Sequence, residues 1–422
     1  MNIFTLIFLA LLTTMTGLKL WLAMRHIAHI RRHREAVPAE FATTVTPEAH
    51  QKAADYSVEK TRLGMKETLA DSLFLLLVTL GGWLAWIDAA SAGWLGDTYW
   101  RGIATVFGVM LISGIVSLPF DLIRTFGIEA RYGFNKLTMR LYLIDACKSA
   151  LLGIAIGTPL LLVTFWLIER MGAYWWFYVW LLWLAFSVLM IAIYPAFIAP
   201  LFNKFSPLAD AGLKERIEGL LARCGFRSQG LFVMDGSKRS SHGNAYFTGL
   251  GKAKRIVFFD TLIERLAPEE IEAVLAHELG HFKRKHIAKL IASRFAIALI
   301  ILAGMGWIID KPWFYSGIGV FTGSASGIPH IGVSVISFFM LLPVFIFPLT
   351  PLGSFISRKH EFEADAYAAG QTRAADLINA LVKLYRDNAS TLTPDPLHSM
   401  IYDSHPPAAV RIAHLNNLPA AP

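Results

Sequence analysis

The stretch His277-Glu278-Leu279-Gly280-His281 places two histidines four residues apart, with a glutamate beside the first. On a helix, residues four apart share a face, so both imidazoles can reach one metal ion. Glu278 is then placed to take a proton from a water held there, which is the HExxH spacing of zinc metalloproteases. The flanks suit a helix, because Glu269, Glu270, Ile271, Ala273, Val274 and Leu275 precede the motif without Pro or Gly. A five-residue pattern recurs by chance, and a solvated His/Glu helix face would explain it alone. A second stretch, Ser357 to Asp365, changes that balance. Its Glu361 and Asp365 are again four apart. A catalytic zinc site takes three protein ligands and leaves one position open. Glu361 supplies the third ligand, and Asp365, one turn on, can accept the other ring N–H of a ligating histidine. Glu363 and His360 lie off that face, and Glu363 is expected to be solvated.

These residues must be positioned by helices, and the composition says where those helices lie. The chain has 422 residues, 55% hydrophobic and 17% charged, with a mean hydropathy of +0.49. A soluble protein carries about 25% charged residues, so neither a plain soluble enzyme nor a disordered chain is expected. A span needs roughly 20 apolar residues. Seven candidates meet this: 3–24, 69–87, 102–122, 149–168, 174–199, 287–309 and 331–350. The second is the weakest, with Asp71 near its start and glycines within it. Lys and Arg gather in alternate loops, beginning with Arg25, Arg31, Arg32 and Arg34. The positive-inside rule puts those loops in the cytoplasm. The net charge of +8 therefore reflects topology, and no nucleic-acid partner is expected. Cys147 and Cys224 form no disulfide framework.

The expected fold class is an all-α polytopic membrane protein of about seven transmembrane helices, with a small α+β zinc protease portion on the cytoplasmic side. Residues 1–200 form a membrane region of five helices. Residues 201–286 form the protease segment with the HExxH helix. Residues 287–353 form two further spans, and 354–422 the C-terminal segment with the third ligand. Within the protease segment, 230–234 and 255–260 read as strands, and 213–222 and 268–282 as helices. The two polar segments lie on one side and are expected to fold together, since each alone is small for a domain. HExxH lies just before the sixth span and Glu361 just after the seventh, so they can meet near the membrane surface. Asp71, Asp121 and Asp145 stand near span ends, either lining an internal space or at the interface.

Several stretches, spread in order over most of the chain, resemble the CAAX prenyl protease 1 family of integral-membrane zinc metalloendopeptidases. They are Glu129 to Lys136 (EARYGFNK), Pro200 to Phe205 (PLFNKF), Gly243 to Gly249 (GNAYFTG), the HExxH helix, Ser357 to Asp365, and His405-Pro406-Pro407. The two metal motifs mark a wider superfamily; the GFNK and LFNKF elements point to this branch. The resemblance implies seven spans around a water-filled chamber, one zinc ion per chain held by His277, His281 and Glu361, and Glu278 as base. It also implies that Asn244, in an edge strand by the cleft, holds the substrate backbone, and that His405 stabilises the tetrahedral intermediate. Against these stand a turn residue after Gly243 and a loop histidine beside proline. Arg411 either reinforces His405 or pairs with a surface acid.

The expected function is peptide-bond hydrolysis by a membrane zinc endopeptidase, with CAAX-type C-terminal processing implied by the resemblance. Its partners are a peptide or protein substrate, lipidated or not, and the bilayer. Because the chain lacks a basic ending, a bacterial inner membrane is expected, with the active site facing the cytoplasm. The alternatives are a quality-control protease acting on misfolded or unprenylated chains, and, in another class, a transporter or binding protein with a degenerate metal site.

Overall fold

A computed structural model describes residues 2–248, 255–321 and 326–418. Gly249, Pro422 and the rest of 249–254, 322–325 and 419–422 lie outside the described residues.

Long apolar helices build the membrane part. They are α1 (Ile3–Arg32), α2 (Pro47–Val78), α3 (Trp83–Leu95), α4 (Tyr99–Leu122), α5 (Met139–Arg170) and α6 (Trp175–Ile193). Their starts are chemically marked. The Asn2 side chain accepts from the Thr5 N–H, and Thr46 caps α2 ahead of Pro47 at the first helical position, where a missing N–H costs nothing. The weak second span has a physical cause. Gly81 and Gly82, the latter at φ +78°, break the helix, so α2 and α3 meet at a 55° bend.

The protease part opens with β1 (Phe205–Pro207), α7 (Ala211–Arg223), β2 (Leu231–Met234), β3 (Ala245–Thr248) and β4 (Arg255–Phe259). The sheet order is β1-β2-β4-β3. β2 and β4 are parallel, and β3 lies antiparallel to β4 at the edge. α8 (Pro268–Lys283) follows. Pro268 starts it, Glu269 and Glu270 sit at the positive end of its dipole, and Glu270 Oε2 accepts from the Ala267 N–H at 2.8 Å.

Two spans complete the membrane part: α9 (His286–Ile308) and α10 (Ile331–Ile346). Beyond a short 3₁₀ turn the last span continues as α11 (Thr350–Ala369). Its polar end is thus one continuous path from the membrane to Glu361. Then come α12 (Ala374–Asp387), α13 (Pro396–Tyr402) and α14 (Ala408–Asn416). Among the described residues, six helices are long and apolar enough to cross a membrane, or seven if the bent α2–α3 pair counts as one span. Large apolar side chains such as Leu111, Leu189 and Ile300 stay exposed along them, which hydrocarbon tolerates and water does not. α4 and α10 touch backbone to backbone: a Cβ on Gly332 would lie 2.3 Å from Gly102 Cα, the close approach that small residues permit between spans.

The two polar stretches share one core. Ile217 and Leu220 of α7, Ile256 and Phe258 of β4, and Leu275 and Leu279 of α8 pack with Ala368 of α11, Leu377 and Leu381 of α12, and Leu415 of α14. Lys383 ties α12 to Glu270 at 2.7 Å. A second tie joins this body to the membrane helices, where Arg239 donates to both Asp145 oxygens at 2.9 and 3.1 Å.

Candidate active site

α8 and α11 cross at Gly280 and Ala364. A Cβ on Gly280 would meet Ala364 Cα at 2.9 Å, so glycine lets the helices approach closely enough to bring their polar faces together. On one side of the crossing stand His277 and His281; on the other stands Glu361. One ligand atom from each lies within 4.8 Å of the others. His277 Nε2 is 3.3 Å from His281 Nε2 and 3.5 Å from Glu361 Oε2, and His281 Nε2 is 3.4 Å from Glu361 Oε1. His277 and Glu361 are buried. Glu361 Oε2 has no hydrogen-bond partner. A buried carboxylate whose two oxygens face one imidazole nitrogen each, Oε2 towards His277 and Oε1 towards His281, is costly to bury without charge compensation, which a cation between the three groups would supply. Two imidazoles and a carboxylate form a donor set that zinc accepts, so the residues fit a catalytic metal.

The ring nitrogens facing away from this centre are also engaged. His277 Nδ1 lies 2.8 Å from Asp365 Oδ1, and Asp365 is fully buried. Arg411 of α14 donates to both Asp365 oxygens, at 2.8 and 2.5 Å. Burial alone would lower the His277 pKa in the metal-free protein, but the Asp365 and Glu361 carboxylates outweigh it and push it up to about 9. Arg411 is itself buried, with Nη1 3.5 Å from Glu361 Oε2. Neither expected role of Arg411 describes this position. It pairs with a buried acid behind His277, because α14 returns across the crossing and aims the guanidinium inward.

His281 is backed differently. Its Nδ1 lies 3.1 Å from His286 Nδ1, and His286 Nε2 lies 2.9 Å from Glu363 Oε2. His360 stacks on His286 at 3.9 Å. The expectation that Glu363 is merely solvated is therefore corrected, and His360, off the ligand face, is engaged as well. α9 begins one turn after the motif and brings His286 back against His281, and that places these two residues of α11 beside it. Their helical spacing in the sequence is right; what the sequence hides is where α9 starts. The signal was Lys283-Arg284-Lys285, a polar break too short for a loop.

Glu278 is half-buried. It makes no hydrogen bond or ion pair with the described residues and is free to meet a substrate or a water. His405 is exposed, yet its Nε2 comes to 3.4 Å from Glu361 Oε1, while its Nδ1 bonds Ser404 Oγ at 2.9 Å. Arg358 of α11 steadies the approach to it by donating to the carbonyls of Met400 and Asp403 at 2.9 and 3.0 Å. Asn244 stands immediately before the edge strand β3. Its carbonyl accepts from the Phe259 N–H at 2.9 Å, and its side chain accepts from the Ala245 N–H at 2.8 Å. β3 packs on α8 through Phe247 and Phe282, 4.8 Å apart. Among the described residues the Asn244 side chain makes no hydrogen bond to the His277 cluster, whereas His277, His281, Glu361, Asp365 and His405 all come together.

Two family models match the chain in succession. One, described as the CAAX prenyl protease N-terminal region with five membrane helices, covers residues 26–204; the other, peptidase family M48, covers 207–418. A CAAX prenyl protease 1 homolog of Arabidopsis thaliana is 35% identical over 388 residues, 89% of each chain. CAAX prenyl protease 1 of Saccharomyces cerevisiae is 39% identical over 315 residues, covering 72% of this chain and 70% of that one. The crystal structure of S. mikatae Ste24p superposes with a TM-score of 0.91 at 31% identity, over 99% of this chain and all of that one.

Proposed function

Since the chain belongs to the CAAX prenyl protease 1 family of M48 membrane metallopeptidases, we propose that this membrane metalloendopeptidase works with one zinc ion and trims the C-terminal tails of prenylated CAAX-type proteins. His277, His281 and Glu361 would hold the metal. The observation that supports this most is the convergence of two imidazole nitrogens and the buried Glu361 carboxylate, one ligand atom of each within 4.8 Å of the others. Bound there, zinc would supply Lewis acidity to a water and to the scissile carbonyl. The protein groups do the rest. Glu278 takes the attacking water's proton on its carboxylate and returns it to the leaving amine. His405 reaches over the site and donates to the oxygen on which charge develops. Asp365, held by Arg411, fixes the His277 ring with its proton on Nδ1. Asn244 and β3, the last strand in the sheet order, would hold the backbone of an extended peptide added to the sheet.

Similarity to CAAX prenyl proteases supports a prenylated substrate, and dependence on the prenyl group is directly testable. Matched peptides with and without an isoprenoid on the cysteine should be cleaved at different rates, the lipidated one at least about tenfold faster in kcat/KM, a difference of about 1.4 kcal/mol. Equal rates would instead favour a quality-control protease that reads exposed chain.

A further inference from the structure

The two histidines of the motif are backed by unlike groups. His277 has a carboxylate in direct contact. His281 has another histidine, and only beyond it a carboxylate. We propose that His286 is the positioning residue for His281: it accepts the His281 Nδ1 proton and so aims the His281 Nε2 lone pair at the metal, with Glu363 setting the tautomer of His286. This rests on the metal-ligand reading of His277, His281 and Glu361.

The directions of the bonds follow from the geometry. His281 Nε2 faces His277 Nε2 at 3.3 Å and Glu361 Oε1 at 3.4 Å, so a ligating His281 has its lone pair there and its proton on Nδ1. That proton points at His286 Nδ1, 3.1 Å away. His286 must then accept on Nδ1 and carry its own proton on Nε2. Nε2 lies 2.9 Å from Glu363 Oε2, an acceptor that cannot compete for the other nitrogen. Three features hold the His286 ring in place. It is buried, with a side chain 3% exposed. It stacks on His360 with planes 13° apart. It is also the first residue of α9, directly after Lys285 at φ +58°. A lysine with positive φ is uncommon, and here it lets the chain pass from α8 to α9 without a loop, so that His286 falls against His281 one turn later. A ligand whose outer nitrogen is bonded in this way is both oriented and made more basic, and losing such a partner typically weakens metal binding about 10–100-fold.

The test is the rate and affinity of zinc release from the purified full-length protein, read by competition with a chromogenic chelator. His286→Phe keeps a ring to stack on His360 but removes the acceptor, and should raise the zinc dissociation constant about 10–100-fold. His286→Asn offers an amide oxygen near the place of Nδ1 and should stay close to wild type; a merely structural role would not separate the two. Wild-type zinc release from His286→Phe, in a protein where His281→Ala has lost its zinc, would overturn the proposal. Full zinc in His281→Ala would overturn the ligand reading itself, and this one with it. If His286→Phe does not fold, Glu363→Ala decides: faster zinc release supports the relay, and an unchanged rate overturns it.

Discussion

Glu278 and His405 are the residues whose removal should spare the metal and stop the chemistry. Glu278 makes no hydrogen bond or ion pair among the described residues, so Glu278→Gln should retain zinc and fold normally while losing about 10²-fold or more in turnover, the usual yield of a general base. His405→Ala should lose about 10²–10³-fold in kcat with little change in KM. Turnover near wild type in either would return that residue to a structural role. His277 gives a pH signature. In the metal-free protein its pKa is raised from 6.5 to about 9, so the protonated ring stabilises the fold fully below about 6.5, and that contribution is lost as pH rises through 9. Metal must displace that proton below pH 9. Zinc affinity should therefore climb about tenfold per pH unit up to pH 9 for this group alone. Calorimetry at pH 7.5 in buffers of different ionisation enthalpy should show at least one proton released per zinc; identical heats would contradict the assignment.

At the scale of elements, the crossing of α8 and α11 sets how close Glu361 comes to the two histidines. Gly280 lies inside the HExxH motif, yet it takes no part in the chemistry assigned to that motif. Gly280→Ala would put a methyl against Ala364 backbone. Overpacking of this kind costs about 1–3 kcal/mol, and here it would also separate Glu361 from the two histidines. The variant should melt at a lower temperature in detergent and hold less zinc than wild type. An unchanged melting temperature and metal content would show that the helices can shift without losing the centre. The spacing of HExxH and of Glu361 with Asp365 was readable because helical periodicity is local. Gly280 is not legible as a contact residue, because a glycine in a helix looks like a weakness until its neighbour across the crossing is known. Likewise Arg411, His286 and Glu363 have no mutual spacing. They meet only because α14 returns over the site and α9 starts without a loop.

For the whole molecule, hydropathy carries most of the architecture. Among the described residues, the six helices long and apolar enough to cross a membrane, and the bent pair, follow from apolar length and from Gly81-Gly82. The edge strand β3 was less legible. Ala245–Thr248 is a strand because β4 pairs with it, and its four residues show no alternation strong enough to announce that. The polar ties between the membrane helices and the protease body were also hidden. Asp145, ambiguous in the sequence as a chamber or interface residue, is bonded by Arg239, a partner 94 residues away.

The proposed metal centre is built by residues of two crossing helices, α8 and α11. Its most direct test is elemental analysis of the purified protein and its Glu361→Ala variant, alongside His277→Ala. Wild type should hold about one zinc per chain, as a three-ligand catalytic site requires, and each variant should hold much less while remaining folded and membrane-extracted as before. Full zinc in Glu361→Ala would contradict the account.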